Sequence, residues 1–376
     1  REILLAEAEK LRKGEFSDEL VEAVKANMKL DVQTGLTDNS SRARYYVNAF
    51  VNGIPWADEV ADLSKIEKVT KADIVAMANK YLGSENFAAI YKRKGEDKNE
   101  LKIAKPAITP IEMNRHLSSD FLRQIQNSSV EPIEPAFADY TKDLTRLKAK
   151  NGMEVLYMPN KTNDIFQLVY VYDLGWYTDP ALYLAGSLMN YVGTSTMTPE
   201  QVKNEFFKLA CKFNFSVGGE RSYAVITGLN ENMDKAVKLF EQVLADAVLS
   251  PEALKANIDR QEKMRLDAKH NQRSNFSMLQ NYVRYGAKNP ATDQPSIESM
   301  RAAKPEDFIE ALRKLNNYEQ TAIYWGNAPE KNVVKLINAT HPIAKKPIKP
   351  SKEQKYKPVT PTETVIYIAP YDAKQL

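Results

Sequence analysis

The sequence predicts an α+β protein made of tandem units, each an antiparallel sheet with helices packed on one face. Three observations predict it. Segments recur with a period of about 230 residues. Strand candidates follow one another as hairpins, with helices grouped between them. Two proline-rich stretches separate the repeated parts.

The repeat comes first because it sets the boundaries. AVKANM at 23–28 returns as ALKANI at 253–258, and DNSSRARYYVNAFV at 38–51 matches HNQRSNFSMLQNYV at 270–283. TKADIVAMANKYL at 70–82 returns as KPEDFIEALRKLN at 304–316, and Ala89-Ile90-Tyr91 as Ala322-Ile323-Tyr324. The offsets are 230, 232, 234 and 233, so four segments keep register with only small loop adjustments. From Leu144 to Ala253 there are 110 residues, whereas 22 precede AVKANM. The first copy is therefore expected to lack its opening ~90 residues. TVIYIAPYDAKQL resembles the FQLVYVYDLG stretch and is expected to open a further unit at about Glu363. The expected division is 1–96, the mostly helical C-terminal part of a unit; 97–143, a linker; 144–340, a complete unit; 341–362, a linker; and 363–376, the first strand of a further unit.

Within the complete unit, LTRLKAKNGMEVLYMPN gives two strands around the turn Asn151-Gly152, a strong hairpin signal. IFQLVYVYDLG, rich in β-branched and aromatic residues, gives a third. A helix follows at about 179–193, in which Leu182, Ala185, Leu188, Met189 and Val192 repeat at helical spacing. Thr198 caps the next helix, with Pro199 at its first position. FNFSVGGERSYAVITGL reads as a hairpin around Gly218-Gly219. Asn230 is expected to cap a helix to about Leu249, and Ser250 with Pro251 to open a long helix to about Arg284. Lys304–Leu315 is a helix, TAIYWG the final strand, and Pro329–Ala339 a closing helix.

With 52 Lys+Arg against 49 Asp+Glu, the net charge of +3 is small and interspersed, so charge predicts neither a nucleic-acid partner nor a membrane surface. A chain of 376 residues with 43% hydrophobic residues can bury more than one core. No apolar run approaches the ~20 residues that cross a bilayer, and the first residues lack the zones of a signal peptide. The single Cys211 excludes an internal disulfide framework and a cysteine-based zinc site, and leaves periplasm and cytoplasm equally open. The lysines of HPIAKKPIKPSKEQKYKPVTP read as a solvated linker rather than a partner surface.

The order NGMEVLYMPN, a strand to Asp173-Leu174-Gly175, a helix ending in Gly193-Thr194, TPEQVKNEFFKLACKFNFSVG and then LNENMDKAVKLFEQVLADAVLSPEALKANIDRQEK resembles a unit of the M16 zinc metallopeptidases, the pitrilysin and insulin-degrading-enzyme family. That resemblance implies tandem units folded as two halves of a clamshell around a peptide-holding chamber. It also implies that a catalytic unit carries His-x-x-Glu-His on the helix before Gly-Thr, with a Glu on a later helix completing the zinc site. Counted back from Gly193-Thr194, the matching positions are Leu184, Ala185, Gly186, Ser187 and Leu188. Two leucines and a serine cannot replace two imidazoles and a carboxylate, so this helix is expected to have only a packing role.

Other metal or nucleophilic sites are not indicated. His116, His270 and His341 lie in different segments without a second ligand at metal spacing, and read as exposed or satisfied side chains. Gly152 and Gly218-Gly219 lack the surroundings of a phosphate loop. The aromatic-rich strand 165–177 is a candidate peptide-holding edge for β-addition, with plain core as its other reading. The resemblance thus implies a parent zinc endopeptidase acting on unfolded peptides or small polypeptides. Its zinc site would lie outside this chain, in an N-terminal catalytic M16 half that partners it. This chain is expected to bind no cofactor, to cleave nothing alone and to supply no catalytic or metal residue, the assisting Arg/Tyr pair of the family's last unit falling beyond Leu376. The rival reading is a catalytically inactive M16-fold module for peptide binding or assembly.

Overall fold

The computed structural model describes residues 1–83, 87–92, 94–95, 104–110, 113, 115, 117–349 and 355–369. Its centre is one sheet whose strands are β1 (Thr145–Lys148), β2 (Glu154–Pro159), β3 (Ile165–Tyr172), β4 (Cys211–Val217), β5 (Ser222–Leu229) and β6 (Gln320–Gly326), in the order β1-β2-β6-β3-β5-β4. Every neighbouring pair is antiparallel except β2 and β6, which run parallel with Val155 opposite Ala322. The expected antiparallel sheet is therefore mixed at one pair. A parallel pair needs a long crossover, and the helices between β5 and β6 supply it, carrying the chain back to enter between β2 and β3.

Alternation along the strands shows where the core lies. In β3, Phe166, Leu168, Tyr170 and Tyr172 are buried while Gln167 is exposed; in β6, Ala322 and Tyr324 are buried while Ile323 is exposed. One sheet face thus packs under helices and the other is partly open, as the period-2 pattern requires. Asn151 and Gly152 both take positive φ (59° and 80°) between β1 and β2, the conformation an Asn-Gly hairpin supplies at low cost.

Before the sheet come α1 (Glu2–Lys13), α2 (Asp18–Gly35), α3 (Asn39–Val51), α4 (Trp56–Val60), α5 (Asp62–Glu67), α6 (Lys71–Tyr81) and, in the first spacer, α7 (Asp120–Gln126). The complete unit adds α8 (Leu182–Leu188), α9 (Pro199–Lys208), α10 (Met233–Ala245), α11 (Pro251–Ala268), α12 (Gln272–Tyr285), α13 (Ile297–Ala302), α14 (Pro305–Lys314) and α15 (Glu330–Thr340). The repeat is visible cap by cap. Ser17 and Ser250 cap two 18-residue helices, Asp38 and Asn271 cap α3 and α12, and the carboxylates of Asp73 and Asp307 reach back to the N–H of Thr70 and Lys304, both at 2.8 Å. The cap offset at Ser17 and Ser250 is 233, three residues from the offset of AVKANM and ALKANI, because the two helices carry that motif at different distances from their starts.

Several expected boundaries move. The helix expected at 179–193 is α8 followed by a 3₁₀ turn at Met189–Tyr191. The Asp179 carboxylate accepts from the N–H of Ala181, holding the entry in a turn, and Gly193 leaves to exchange backbone hydrogen bonds with Val248 (2.9 and 3.0 Å). That bridge also ends α10 at Ala245 rather than near Leu249. Asn230 does not cap α10, since its Oδ1 accepts from the Tyr324 hydroxyl at 3.1 Å and a 3₁₀ turn at Asn230–Asn232 intervenes. The long helix expected from Ser250 to Arg284 is two helices, because the Asn271 side chain accepts from the N–H of Ser274 at 2.9 Å and starts α12 afresh.

The solvated lysine linker expected at 341–362 is corrected at two points. Ile348 pairs with Tyr318 beside the start of β6, and Tyr356 is buried. Residues 363–369 belong to no described strand, although the Tyr367 ring meets Tyr282 edge-on at 5.9 Å; 370–376 lie outside the described residues.

Candidate functional site

The place implied for a zinc helix is α8, and its geometry is that of core. Leu184 and Leu188 are each 1% exposed and Ala185 is fully covered, packed among side chains of α14, α11 and β4. The helix lies against β4: a Cβ at Gly186 would come into van der Waals contact with Phe215 O and Val217 N, both at 3.4 Å. Ser187, at the position of the catalytic base, sets its hydroxyl 2.9 Å from the Leu184 carbonyl and 3.2 Å from Oδ1 of Asn257 on α11. Asn257 is 1% exposed, and its Nδ2 has no partner among the described residues.

These side chains do not fit a zinc ion. Two alkyl groups, a hydroxyl and a neutral amide offer none of the imidazole, thiolate or carboxylate donors that hold Zn²⁺, so no hydrolytic step is derived at α8. Among the described residues no three His, Cys, Asp or Glu side chains are grouped so that they could hold a metal. Asn257 was missed in the sequence as the residue facing Ser187. Its signal was the Asn shared by AVKANM and ALKANI, where Asn27 in turn donates to Phe207 O at 2.8 Å.

The three histidines separate. His116 lies outside the described residues, and His270 is exposed at the α11–α12 break. His341, at the end of α15, is 1% exposed; its Nδ1 lies 2.7 Å from a Glu241 carboxylate oxygen and its Nε2 2.8 Å from Gln320 Oε1. Its ring stacks on Tyr170 at 3.7 Å with 8° between planes. Burial pushes the hydroxyl of Tyr170 far above the ordinary tyrosine range, with the neighbouring Glu241 charge adding to it. Glu241, His341, Tyr172 and Arg313 also line a cleft of about 420 Å³. This polar knot ties α10, α15, β3 and β6 together and satisfies a histidine that the sequence left as exposed or satisfied.

Of the two readings of 165–177, peptide-holding edge or plain core, β3 takes the second. β3 lies between β6 and β5 with both sides of its backbone paired, so it cannot take an added strand. Among the described residues, the free edges belong to β1 and β4. Between α2, α9 and the start of β4 lies a groove of about 340 Å³, lined by Met189, Phe206, Phe207, Phe213 and Cys211 with Asp31, Lys203 and Lys212 at its polar positions. The Cys211 thiol is buried, which pushes it up to about 12.

No family model and no curated protein matches the sequence. Solved structures do. The periplasmic protease PqqL from Escherichia coli is 16% identical, with 96% of this chain and 43% of that chain covered at a TM-score of 0.51. A mutant of the ferredoxin protease FusC, in complex with Arabidopsis ferredoxin, is 11% identical, with 94% and 42% covered and a TM-score of 0.50. The fold is that of the M16 peptidases. A peptidase M16 inactive domain from Pseudomonas fluorescens is also similar, at 15% identity and a TM-score of 0.48 over 56% of this chain and 54% of that one. The chain spans 42–43% of the length of PqqL and FusC, and what it shares with them is architecture.

Proposed function

We propose that this chain is a non-catalytic M16 segment forming part of a peptide-enclosing chamber, in a protein whose zinc endopeptidase site lies in a separate N-terminal M16 half. The observation that carries the reading is the packing of α8, where Leu184 and Leu188 fill the ligand positions as core and Ser187 bonds to Leu184 and Asn257. The substrates would be unfolded peptides or small polypeptides. Such a chain would add at a free edge, and β4 is the edge next to α8. No described helix is long and apolar enough to cross a membrane, and the small interspersed net charge of +3 gives no support for nucleic acid as a partner.

The test is metal content and turnover together. The purified chain, equilibrated with zinc, is assayed against a quenched unstructured peptide beside the full-length protein. Absence of zinc and cleavage here, with both in the full-length protein, is the expected result. Stoichiometric zinc with turnover by this chain alone overturns it. Failure of the full-length protein to cleave would favour the rival, an inactive peptide-binding or assembly module.

A further inference from the structure

Trp176 and Tyr177 follow β3, and the loop they form is fixed by two backbone bonds. The N–H of Trp176 donates to Gly218 O at 3.1 Å, and that of Tyr177 to Gly219 O at 2.9 Å. A Cβ on Gly219 would lie 2.3 Å from the Tyr177 ring, so only glycine admits the ring there. Asp293, in the loop after α12, faces this aromatic pair across a gap that the connector fills.

The filler is Lys355-Tyr356. The Lys355 ammonium lies 5.5 Å from the Trp176 ring centre, 5.4 Å from Tyr177 and 5.6 Å from Tyr356. It also donates to Tyr177 O at 3.2 Å and sits 3.3 Å from the Asp293 carboxylate. Three ring faces and one carboxylate around one ammonium form an aromatic cage, the arrangement that attracts a cation through the negative ring faces. Tyr356 is 6% exposed, meets Tyr177 edge-on at 4.9 Å and donates its hydroxyl to the same carboxylate at 2.9 Å. Three residues on, the N–H of Val359 donates to Arg284 O at 2.7 Å. The Lys355 side chain stays 28% exposed, so the buried anchor of the pair is the Tyr356 ring, with the ammonium held over the rings at the surface.

We propose that Trp176, Tyr177 and Asp293 form a receptor for a lysine–aromatic pair, occupied in cis by Lys355-Tyr356, which pins residues 355–359 to the unit as a strap. The ligand class is an alkylammonium followed by an aromatic ring. Each half needs the other, because Tyr356 supplies the third wall of the cage that holds Lys355. The strap fixes the direction in which the chain leaves the unit at Val359.

Hydrogen exchange of the whole chain tests this, read at the amide of Val359 against the amides of β3. In the unaltered chain Val359 should be protected. Lys355→Met, which keeps the stem and removes the charge, should speed exchange at Val359 at least tenfold and leave β3 unchanged; Lys355→Arg, which keeps a cation over the rings, should stay within threefold. Tyr356→Leu should match Lys355→Met. Free exchange at Val359 in the unaltered chain, or less than a threefold change in Lys355→Met, overturns the proposal. So does an equal acceleration in β3, since the contact would then hold the core and not a strap.

Discussion

The Ser187 hydroxyl lies 3.2 Å from Asn257 Oδ1, so two uncharged side chains meet between α8 and α11. The hydroxyl has one proton to share between Asn257 and the Leu184 carbonyl, and the amide is 1% exposed. Ser187→Ala would leave that amide without its partner and should cost about 1–2 kcal/mol. The double variant Ser187→Ala/Asn257→Leu should recover at least half, because an apolar pair has nothing left to satisfy. Urea midpoints of the two single variants and the double variant decide it; additive losses would show that the pair is not coupled.

Restoring the implied ligands is predicted to damage the fold instead of creating a site. Leu184→His/Ser187→Glu/Leu188→His places two imidazoles at positions 1% exposed and a carboxylate at a half-buried one, and removes packed methyl groups. The loss should reach at least ~4 kcal/mol. A variant that folds with unchanged urea midpoint and takes up one zinc per chain would contradict the packing role of α8.

Cys211 should be inert in the folded chain. Its thiol is buried at the start of β4 and pushed up to about 12, so almost no thiolate exists at pH 8. A Cβ on Gly228 would lie 2.4 Å from its sulfur, which measures how closely the neighbouring strand approaches. A thiol-reactive dye at pH 8 should label the urea-unfolded chain within minutes and the native chain at least ~100-fold more slowly. Equal rates would show that the β4 edge opens readily.

The strap carries its own pH window. Burial raises the Asp293 carboxyl, but hydrogen bonds from Tyr356 and Lys355, with the charges of Lys355 and Lys288, outweigh it and hold the group below its usual range. A carboxyl depressed in the folded state adds stability that is complete above its unfolded value of about 3.9 and is lost as pH falls through the folded value. Burial first, and then the bond to Asp293, raise the Tyr356 hydroxyl above its ordinary range. Its contribution is complete below about pH 10 and is lost as pH rises through its folded value. The difference in Tm between the unaltered chain and Asp293→Asn should be roughly 1–2 °C at pH 6 and shrink as pH falls through the folded value of the carboxyl. A difference that grows on acidification would reverse the assignment.

What could be read from residues and what could not follow from the range of each interaction. The hairpins at Asn151-Gly152 and Gly218-Gly219, the cap at Thr198 with Pro199, and the restart of α6 and α14 are decided by neighbours within about four residues, and all stand in the structure. Asn230 was misread because Tyr324, 94 residues away, claims its side chain. The single long helix was misread because Asn271 can cap as well as continue, and its local bond to Ser274 prevails.

The sequence alone determined that the chain repeats itself, that its strands form hairpins under helices, and that Leu184, Ser187 and Leu188 offer no zinc ligands. These are properties of spacing and side-chain chemistry, which need no partner in space. Tertiary structure alone decided that β6 enters parallel to β2, that β3 is interior and β4 an edge, that His341 is locked between Glu241 and Gln320, and that the Lys355 ammonium sits among the rings of Trp176, Tyr177 and Tyr356. Each of these is a pairing of residues far apart along the chain, selected by burial and by the hydrogen bonds that burial makes costly to leave unmade.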